Sequence, residues 1–201
     1  MKIAIIGRGN VGTALAESLR RARHDISFGV LHPDPAMGDE STVARAAAGA
    51  EVVILAIPFA AVAEAARAAG GFAGKILIDA TNPLGMIDGE LGLTMGFQTS
   101  GAEQIAELAP AARVFKSFNQ TGFENMAKPG VYATKPVMFV AGDDSAGKAT
   151  VLSLVADAGF EPIDAGGLRA ARLLEPLAML WIELFRTQKL PLFVFSLHYR
   201  T

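Results

Sequence analysis

The chain of 201 residues is 51% hydrophobic and 19% charged, a composition typical of globular proteins and not of disordered ones. Its net charge is -2, whereas nucleic-acid-binding domains usually have an excess of basic residues, so no nucleic-acid partner is expected. The absence of cysteine excludes disulfides, thiolate nucleophiles and zinc–thiolate sites, and fits a cytoplasmic protein.

No apolar run reaches the roughly 18 residues that a membrane-spanning helix needs. Leu173–Phe185 comes nearest, but Glu175, Pro176 and Glu183 interrupt it, so a buried helix is expected there. The apolar segment Met1–Ile6 meets a glycine turn at once and has no cleavage region of a signal peptide. We therefore expect neither a membrane span nor a secretory leader.

Short apolar runs alternate with longer helical stretches along the chain. The predicted strands are Lys2–Ile6, Asp25–Leu31, Glu51–Ile57, Lys75–Ala80, Arg113–Phe118, Val137–Ala141 and Glu161–Asp164. The predicted helices are Thr13–Arg23, Thr42–Ala48 with Ser41 as its N-cap, Phe59–Ala69, Gly101–Ala109, Ser145–Ala158 and Leu168–Arg186, bent at Pro176. The glycine-rich stretch Leu84–Ser100 has no clear period and is interpreted as a loop.

The predicted strands are near-continuous apolar runs, which is typical of strands buried on both faces of a parallel sheet. Their alternation with helices predicts an α/β protein with a Rossmann-type doubly wound, mainly parallel sheet. No repeat or low-complexity linker marks a domain boundary, so residues 1–201 are interpreted as a single domain. Within it, residues 167–201 are expected to form a short C-terminal helical extension and a dimer contact.

A glycine motif, Gly7-Arg8-Gly9-Asn10-Val11-Gly12, follows the first predicted strand directly and opens the first helix. Gly7 permits a tight turn, Gly9 lets the backbone approach a pyrophosphate, and Gly12 allows close packing of helix on sheet. The helix N-terminus directs free N–H groups and its positive dipole end at the phosphates. The motif therefore predicts a dinucleotide-binding domain, with a tight turn that binds nothing as the alternative.

The second predicted strand ends in Gly29-Val30-Leu31-His32, without the carboxylate that binds the adenosine ribose in NAD enzymes. Asp34 follows only after Pro33 and is a weak candidate for that role. Arg8 and His32 are nearby cations that suit a 2′-phosphate, which favours NADP(H) over NAD(H) as the cofactor. An exposed loop position is an equally good interpretation of His32.

Ligands of doubly wound sheets lie beyond the carboxyl ends of the strands. The candidate segments at three of those ends are Ala56-Ile57-Pro58, Thr81-Asn82-Pro83 and Ser117-Phe118-Asn119-Gln120-Thr121. We expect the first to pass under the ribose and nicotinamide, and the hydroxyl and amide groups of the second to bond to ribose or carboxamide. Ordinary turn chemistry explains Asn82 and Asn119 equally well.

The sequence shows no nucleophile–base pair and no metal-ligand cluster, so no catalytic residue and no metal site is assigned. Asp143 and Asp144 immediately precede a helix and are expected to cap it. Hydride transfer between two redox cofactors needs little acid–base machinery, because the protein has only to hold two planar rings face to face. A hydroxy-acid dehydrogenase would need a proton donor beside the carbonyl.

Several longer motifs add a family resemblance that covers nearly the whole chain. They are Gly7–Gly12, Ala56–Pro58, Lys116–Gly122, Val140–Asp144, and Asp164–Gly166 leading into Leu173–Leu177. The chain resembles the NADPH-dependent oxidoreductases typified by coenzyme F420-dependent NADP reductase, and the reductase domain of six-transmembrane metalloreductases. The resemblance implies hydride transfer between NADP(H) and a planar cofactor such as the deazaflavin F420, with Asn119 near the nicotinamide.

The resemblance also implies a homodimer that the C-terminal helix helps to form. One segment departs from the family pattern, because Val30-Leu31-His32 stands where Ser-Arg typically holds the 2′-phosphate. Leu190–Leu197 is strongly apolar and belongs either to the core or to an oligomer interface.

Other functions remain open from the sequence. A flavin or a ferric chelate is an alternative acceptor, and a non-catalytic, dinucleotide-binding redox sensor is a further possibility. An imine reductase resembling pyrroline-carboxylate reductase shares the glycine motif, but about 35 residues after Gly166 are too few for the long helical dimerisation domain of those enzymes.

Overall fold

A computed structural model describes residues 1–200 of the chain. The strands are β1 Lys2–Ile6, β2 Asp25–Val30, β3 Glu40–Thr42, β4 Val52–Leu55, β5 Ile76–Asp79, β6 Leu84–Ile87, β7 Glu90–Leu93, β8 Arg113–Lys116, β9 Val137–Gly142 and β10 Glu161–Asp164. The α-helices are α1 Asn10–Arg21, α2 Val43–Gly49, α3 Val62–Ala68, α4 Gly101–Leu108, α5 Phe123–Ala127, α6 Ser145–Asp157 and α7 Ala171–Ile182.

Within the described residues, one eight-stranded sheet has the order β10-β9-β8-β5-β4-β1-β2-β3. The strands from β8 to β3 pair in parallel, β9 runs antiparallel to β8, and β10 is parallel to β9. Because β1, β2, β4, β5 and β8 all point the same way, the segments that follow them meet along one edge of the sheet. This carboxyl edge positions the candidate site, and the predicted Rossmann-type, mainly parallel sheet is confirmed.

Two apolar cores lie on the two faces of the sheet. Alternate residues of β1 face opposite ways, so that Ile3 and Ile5 belong to one core while Ala4 and Ile6 belong to the other. Helices α1 and α6 pack in the first core, and α2, α3 and α4 pack in the second. Coverage of both faces explains why these strands are apolar without alternation.

The structure corrects the prediction that Leu84–Ser100 is a loop, because β6 and β7 form an antiparallel hairpin within it. Its turn is Asp88-Gly89, and both residues have positive φ angles, 51° and 87°. Asp-Gly at such a turn is a strong hairpin signal, since both positions of a type I′ turn need positive φ. Thr94 anchors the hairpin by donating to the Pro83 carbonyl from both its backbone N–H and its hydroxyl.

The N-cap of α2 is Thr42 and not the predicted Ser41, because the Thr42 hydroxyl accepts the Arg45 N–H while the Ser41 hydroxyl donates to the Thr42 carbonyl. The short elements β3 and α5 were not predicted.

The chain after α7 folds back onto the protein. The Phe193 ring stacks 5.5 Å from Trp181, and the Phe193 carbonyl accepts hydrogen bonds from Trp181 Nε1 and Asn125 Nδ2. The Phe195 carbonyl accepts the Val137 N–H at the start of β9. Part of the apolar segment Leu190–Leu197 is therefore fixed against its own chain. No helix among residues 1–200 is long and apolar enough to cross a membrane.

Candidate functional site

The glycine turn after β1 is built by close backbone packing. Gly7 has a φ of 102°, and a Cβ there would lie 2.5 Å from the Ala56 carbonyl oxygen. A Cβ on Gly12 would overlap the carbonyl oxygen of Gly7. Neither Gly7 nor Gly12 therefore has room for a side chain, and the loop rests directly on the segment after β4.

Gly9 differs from its two neighbours, because a Cβ on it would meet no atom within 4 Å. It is the N-cap of α1, and no side chain bonds to the first N–H groups of that helix. Side chains cap α2, α4 and α6, whereas α3, α5 and α7 lack a side-chain cap as α1 does. The exposed residues Gly9 and Asn10 thus begin a helix whose amino end is free to bind an anion.

Arg8 lies near the end of β2 but is already paired. Its Nη1 donates to Asp39 Oδ1 and to Glu40 Oε1, both at 2.8 Å. Sequence reasoning found no carboxylate at the end of β2 because these two arrive from the neighbouring strand β3 and the residue before it. His32 lies exposed on the turn that follows β2.

The Asp39 carboxyl is held in its ionised form. Burial raises its pKa, but hydrogen bonds from Arg20 and Arg8 outweigh burial and hold the pKa of Asp39 below its ordinary value. Burial lowers the pKa of Arg8, and the bonds to Glu40 and Asp39 more than reverse this effect. The charged groups beside β2 are therefore held in ion pairs around Arg8.

The segments after β5 and β8 are joined directly. Asn82 Nδ2 donates to the Asn119 carbonyl at 2.9 Å, and Asn119 Nδ2 donates to Asn82 Oδ1 at 3.0 Å and to the Leu174 carbonyl at 3.0 Å. The structure thus brings together two of the predicted site residues. Ala56 and Ile57 lie half-buried against the glycine turn, whereas Pro58 is exposed.

Three buried oxygen atoms along this edge lack a hydrogen-bond partner within the described chain. They are Thr81 Oγ1, Ser117 Oγ and Asn119 Oδ1. Buried polar atoms in native proteins are nearly always bonded, so these atoms have capacity for a polar ligand. Phe118, between two of them, has a φ of 58°, an uncommon backbone strain of the kind concentrated at functional sites.

A buried ammonium group holds the ends of β5 and β8 together. Lys116 Nζ lies 2.8 Å from Asp79 Oδ2, 2.9 Å from Glu175 Oε1 and 2.6 Å from the Thr81 carbonyl, and its side chain is fully buried. The Glu175 carboxylate also accepts the Gly101 and Ala102 N–H groups, at the start of α4. The sequence reasoning did not identify this cluster, which joins β5, β8, α4 and α7.

Asp144 caps α6 by accepting the Gly147 N–H at 2.6 Å, as predicted. The same prediction is wrong for Asp143, whose Oδ1 accepts the Leu168 N–H at 3.0 Å instead. No group of three or more acidic or histidine side chains within residues 1–200 has an arrangement that could hold a metal ion.

Comparison with known proteins agrees with this architecture. Residues 2–83 match the family described as NADP oxidoreductase, coenzyme F420-dependent. A crystal structure assigned to an F420-dependent NADP-reductase of Arthrobacter sp. FB24 is 33% identical, with a TM-score of 0.89 over 99% of this chain and 100% of the other. The hypothetical protein SMa0349 of Sinorhizobium meliloti is 27% identical, with a TM-score of 0.75 over 85% of this chain and 87% of the other.

Metalloreductase STEAP3 of Rattus norvegicus is 28% identical over 184 residues, which are 89% of this chain but only 36% of that protein. The chain therefore spans about a third of the length of this relative.

Fold and site together define a Rossmann-type oxidoreductase, with a glycine turn at the carboxyl edge of a doubly wound sheet. The chain belongs to the family of coenzyme F420-dependent NADP oxidoreductases.

Replacing the buried cation tests the role of the Lys116 cluster. We expect Lys116→Met to lower the free energy of unfolding by about 3–5 kcal/mol, because Asp79 and Glu175 would remain buried without their counter-ion. Urea unfolding followed by circular dichroism measures the change. Adding Asp79→Asn and Glu175→Gln to Lys116→Met should restore part of the loss, and an unchanged stability of the single variant would contradict this role.

Proposed function

We propose that the chain transfers hydride between NADP(H) and a planar redox cofactor, most specifically the deazaflavin F420. The observation that carries the proposal is the glycine turn, with an uncapped helix start and open space above Gly9. The family and the Arthrobacter structure support NADP(H) and F420 as the reactants.

The residues of the carboxyl edge fit a dinucleotide. The backbone of Gly7–Gly12, including Arg8, Asn10 and Val11, would hold the pyrophosphate, with Arg8 and His32 toward the 2′-phosphate. At the other end, Ala56-Ile57-Pro58 and Thr81-Asn82-Pro83 would flank the ribose and nicotinamide, together with Asn119. The unpartnered oxygens of Thr81 and Asn119 could accept hydrogen bonds from the carboxamide or the ribose hydroxyls.

The chemistry at this edge suits hydride transfer without a protein acid. When bound, the nicotinamide would supply or accept the hydride, which carries two electrons and one proton, and the further proton of the reduced deazaflavin would be exchanged with solvent. Asp79, Lys116 and Glu175 are buried and bonded to one another, so they do not offer a proton to a substrate carbonyl. The Asn82–Asn119 bridge fixes the polar groups that position the reacting ring.

A two-stage measurement tests the reaction. The purified protein is titrated with NADPH and with NADH, and oxidised F420 is then added while the absorbance of both chromophores is followed. We expect one F420 to be reduced for each NADPH oxidised. If a dinucleotide binds and F420 stays oxidised, F420 is not the acceptor, and flavins, ferric chelates and a sensing role are tested next.

Substitution of Gly9 separates binding of the pyrophosphate at the glycine turn from folding of the chain. We expect Gly9→Val to weaken NADPH binding by at least about tenfold, because its side chain would occupy the space of the pyrophosphate. The fold should survive, since no atom lies within 4 Å of the added Cβ. Gly49→Val, at an equally open position at the end of α2, is the matched control. Tight NADPH binding by a folded Gly9→Val protein would refute the pyrophosphate assignment.

We propose further that residues 1–201 are a single dinucleotide-binding domain whose segment 167–201 forms a homodimer contact. Helix α7 exposes Leu173 and Leu180 by 73% and 49%, and a contact between two copies of this helix would bury both side chains.

Light scattering during size-exclusion chromatography tests this assembly. We expect a dimer that Leu173→Glu dissociates, because a carboxylate would be buried in the contact. Leu108→Glu, at a similarly exposed leucine that ends α4, should leave the dimer intact. A wild-type monomer would refute the dimer.

A further inference from the structure

The side chain of Arg8, in the middle of the glycine turn, is held on three sides. Its Nη1 bonds to both Asp39 and Glu40 at 2.8 Å, and its guanidinium carbon lies 4.7 Å from the centre of the Phe28 ring. Only 28% of the Arg8 side chain remains exposed. Ionic bonds and the cation–π contact therefore fix the one basic side chain of the turn.

The two carboxylates are themselves anchored. Asp39 Oδ2 bonds to Arg20 Nη2, and Glu40 Oε2 accepts the Asp34 N–H at 2.9 Å. The Glu40 side chain is 10% exposed. Because Asp34 belongs to the turn that follows β2, the Glu40 carboxylate bridges the glycine turn and that second turn.

In Rossmann folds the end of β2 distinguishes the two dinucleotides. A carboxylate there bonds to the ribose 2′-hydroxyl of NAD(H), and an arginine nearby binds the 2′-phosphate of NADP(H). The formal charges of this cluster cancel, because the two positive charges of Arg8 and Arg20 balance the two negative charges of Asp39 and Glu40. A 2′-phosphate would have to compete with two carboxylates for Arg8, whereas a 2′-hydroxyl is neutral and meets no such repulsion.

We propose that Asp39 and Glu40 are specificity-determining residues, which hold Arg8 in ion pairs and thereby limit the preference for NADP(H) over NAD(H). The inference rests on the proposed function, in which a dinucleotide binds along the Gly7–Gly12 turn. Glu40 is the first residue of the edge strand β3, and Asp39 directly precedes it.

Dissociation constants measured by dinucleotide fluorescence test the inference without any acceptor. The variant Asp39→Asn/Glu40→Gln keeps the size of both side chains and one acceptor oxygen on each, but removes the two negative charges that pair with Arg8. We expect the ratio of the NADH to the NADPH dissociation constant to rise by about tenfold or more, since a bond to a charged group is gained only with the 2′-phosphate.

A matched control has the same change of charge far from β2 in the sheet. Glu161 is the first residue of β10, which is six strand spacings, about 29 Å, from β2. Glu107 lies exposed on α4, which packs against β8, four strand spacings or about 19 Å from β2. Both distances exceed the screening length at physiological salt, so we expect Glu107→Gln/Glu161→Gln to change the ratio by less than about twofold.

A triple variant tests whether Arg8 is the cation that binds the 2′-phosphate. Adding Arg8→Met to Asp39→Asn/Glu40→Gln should return the ratio to near the wild-type value, because the released charge is removed. Thermal melting verifies that each protein is folded; if the double variant does not fold, Asp39→Asn and Glu40→Gln alone should each show part of the increase.

The outcomes separate the two proposals. If the wild-type protein binds neither dinucleotide, the proposed function itself fails. If both dinucleotides bind and the ratio is unchanged in the folded variants, or rises equally in the control, Asp39 and Glu40 do not determine specificity.

Discussion

The carboxyl edge of the sheet depends on one buried ammonium group. Lys116 is removed from water and is compensated by two carboxylates and a carbonyl, all within 2.9 Å. A buried charge is tolerated only when it is paired and hydrogen-bonded, so the lysine fixes the positions of every group around it. Through Asp79 and Glu175 it ties two strand ends to the start of α4 and to α7, and the Asn82–Asn119 bridge lies on this framework.

This use of charge also limits the chemistry of the site. The ionisable groups Asp79 and Glu175 are both paired with Lys116 inside the protein, which leaves amide, hydroxyl and backbone groups to meet a ligand. Such groups can orient a nicotinamide and a second planar ring, but they do not supply a proton. The proposed exchange of hydride between two cofactors is compatible with that limit, and the glycine turn is where the pyrophosphate of such a cofactor would lie.

The sequence predicted those parts of the structure that short-range rules determine. The glycine turn could be recognised because steric crowding leaves no alternative to glycine at Gly7 and Gly12. The strands could be recognised because burial on both faces makes them continuously apolar. The hairpin of β6 and β7 could also have been found, since Asp88-Gly89 is a hairpin turn between short apolar segments. Its glycine content and lack of a helical period obscured that signal.

Long-range pairing accounts for what was missed at the site. Lys116, Asp79 and Glu175 are far apart in sequence and meet only because the sheet places β5 beside β8 and α7 crosses their ends. Asp39 and Glu40 escaped notice because β3 has three residues, too few for a recognisable pattern. Arg8 was correctly located near the end of β2, but its partners depend on strand order, which the local sequence does not specify.

The central claim is that the carboxyl edge binds a dinucleotide across the glycine turn, and a crystal structure of the complex with NADP⁺ tests it most directly. The account predicts the pyrophosphate over Gly9, at the N–H groups that begin α1, and the nicotinamide beside Asn82 and Asn119. An NADP⁺ molecule bound elsewhere on the protein, with the space above Gly9 filled by solvent, would contradict it.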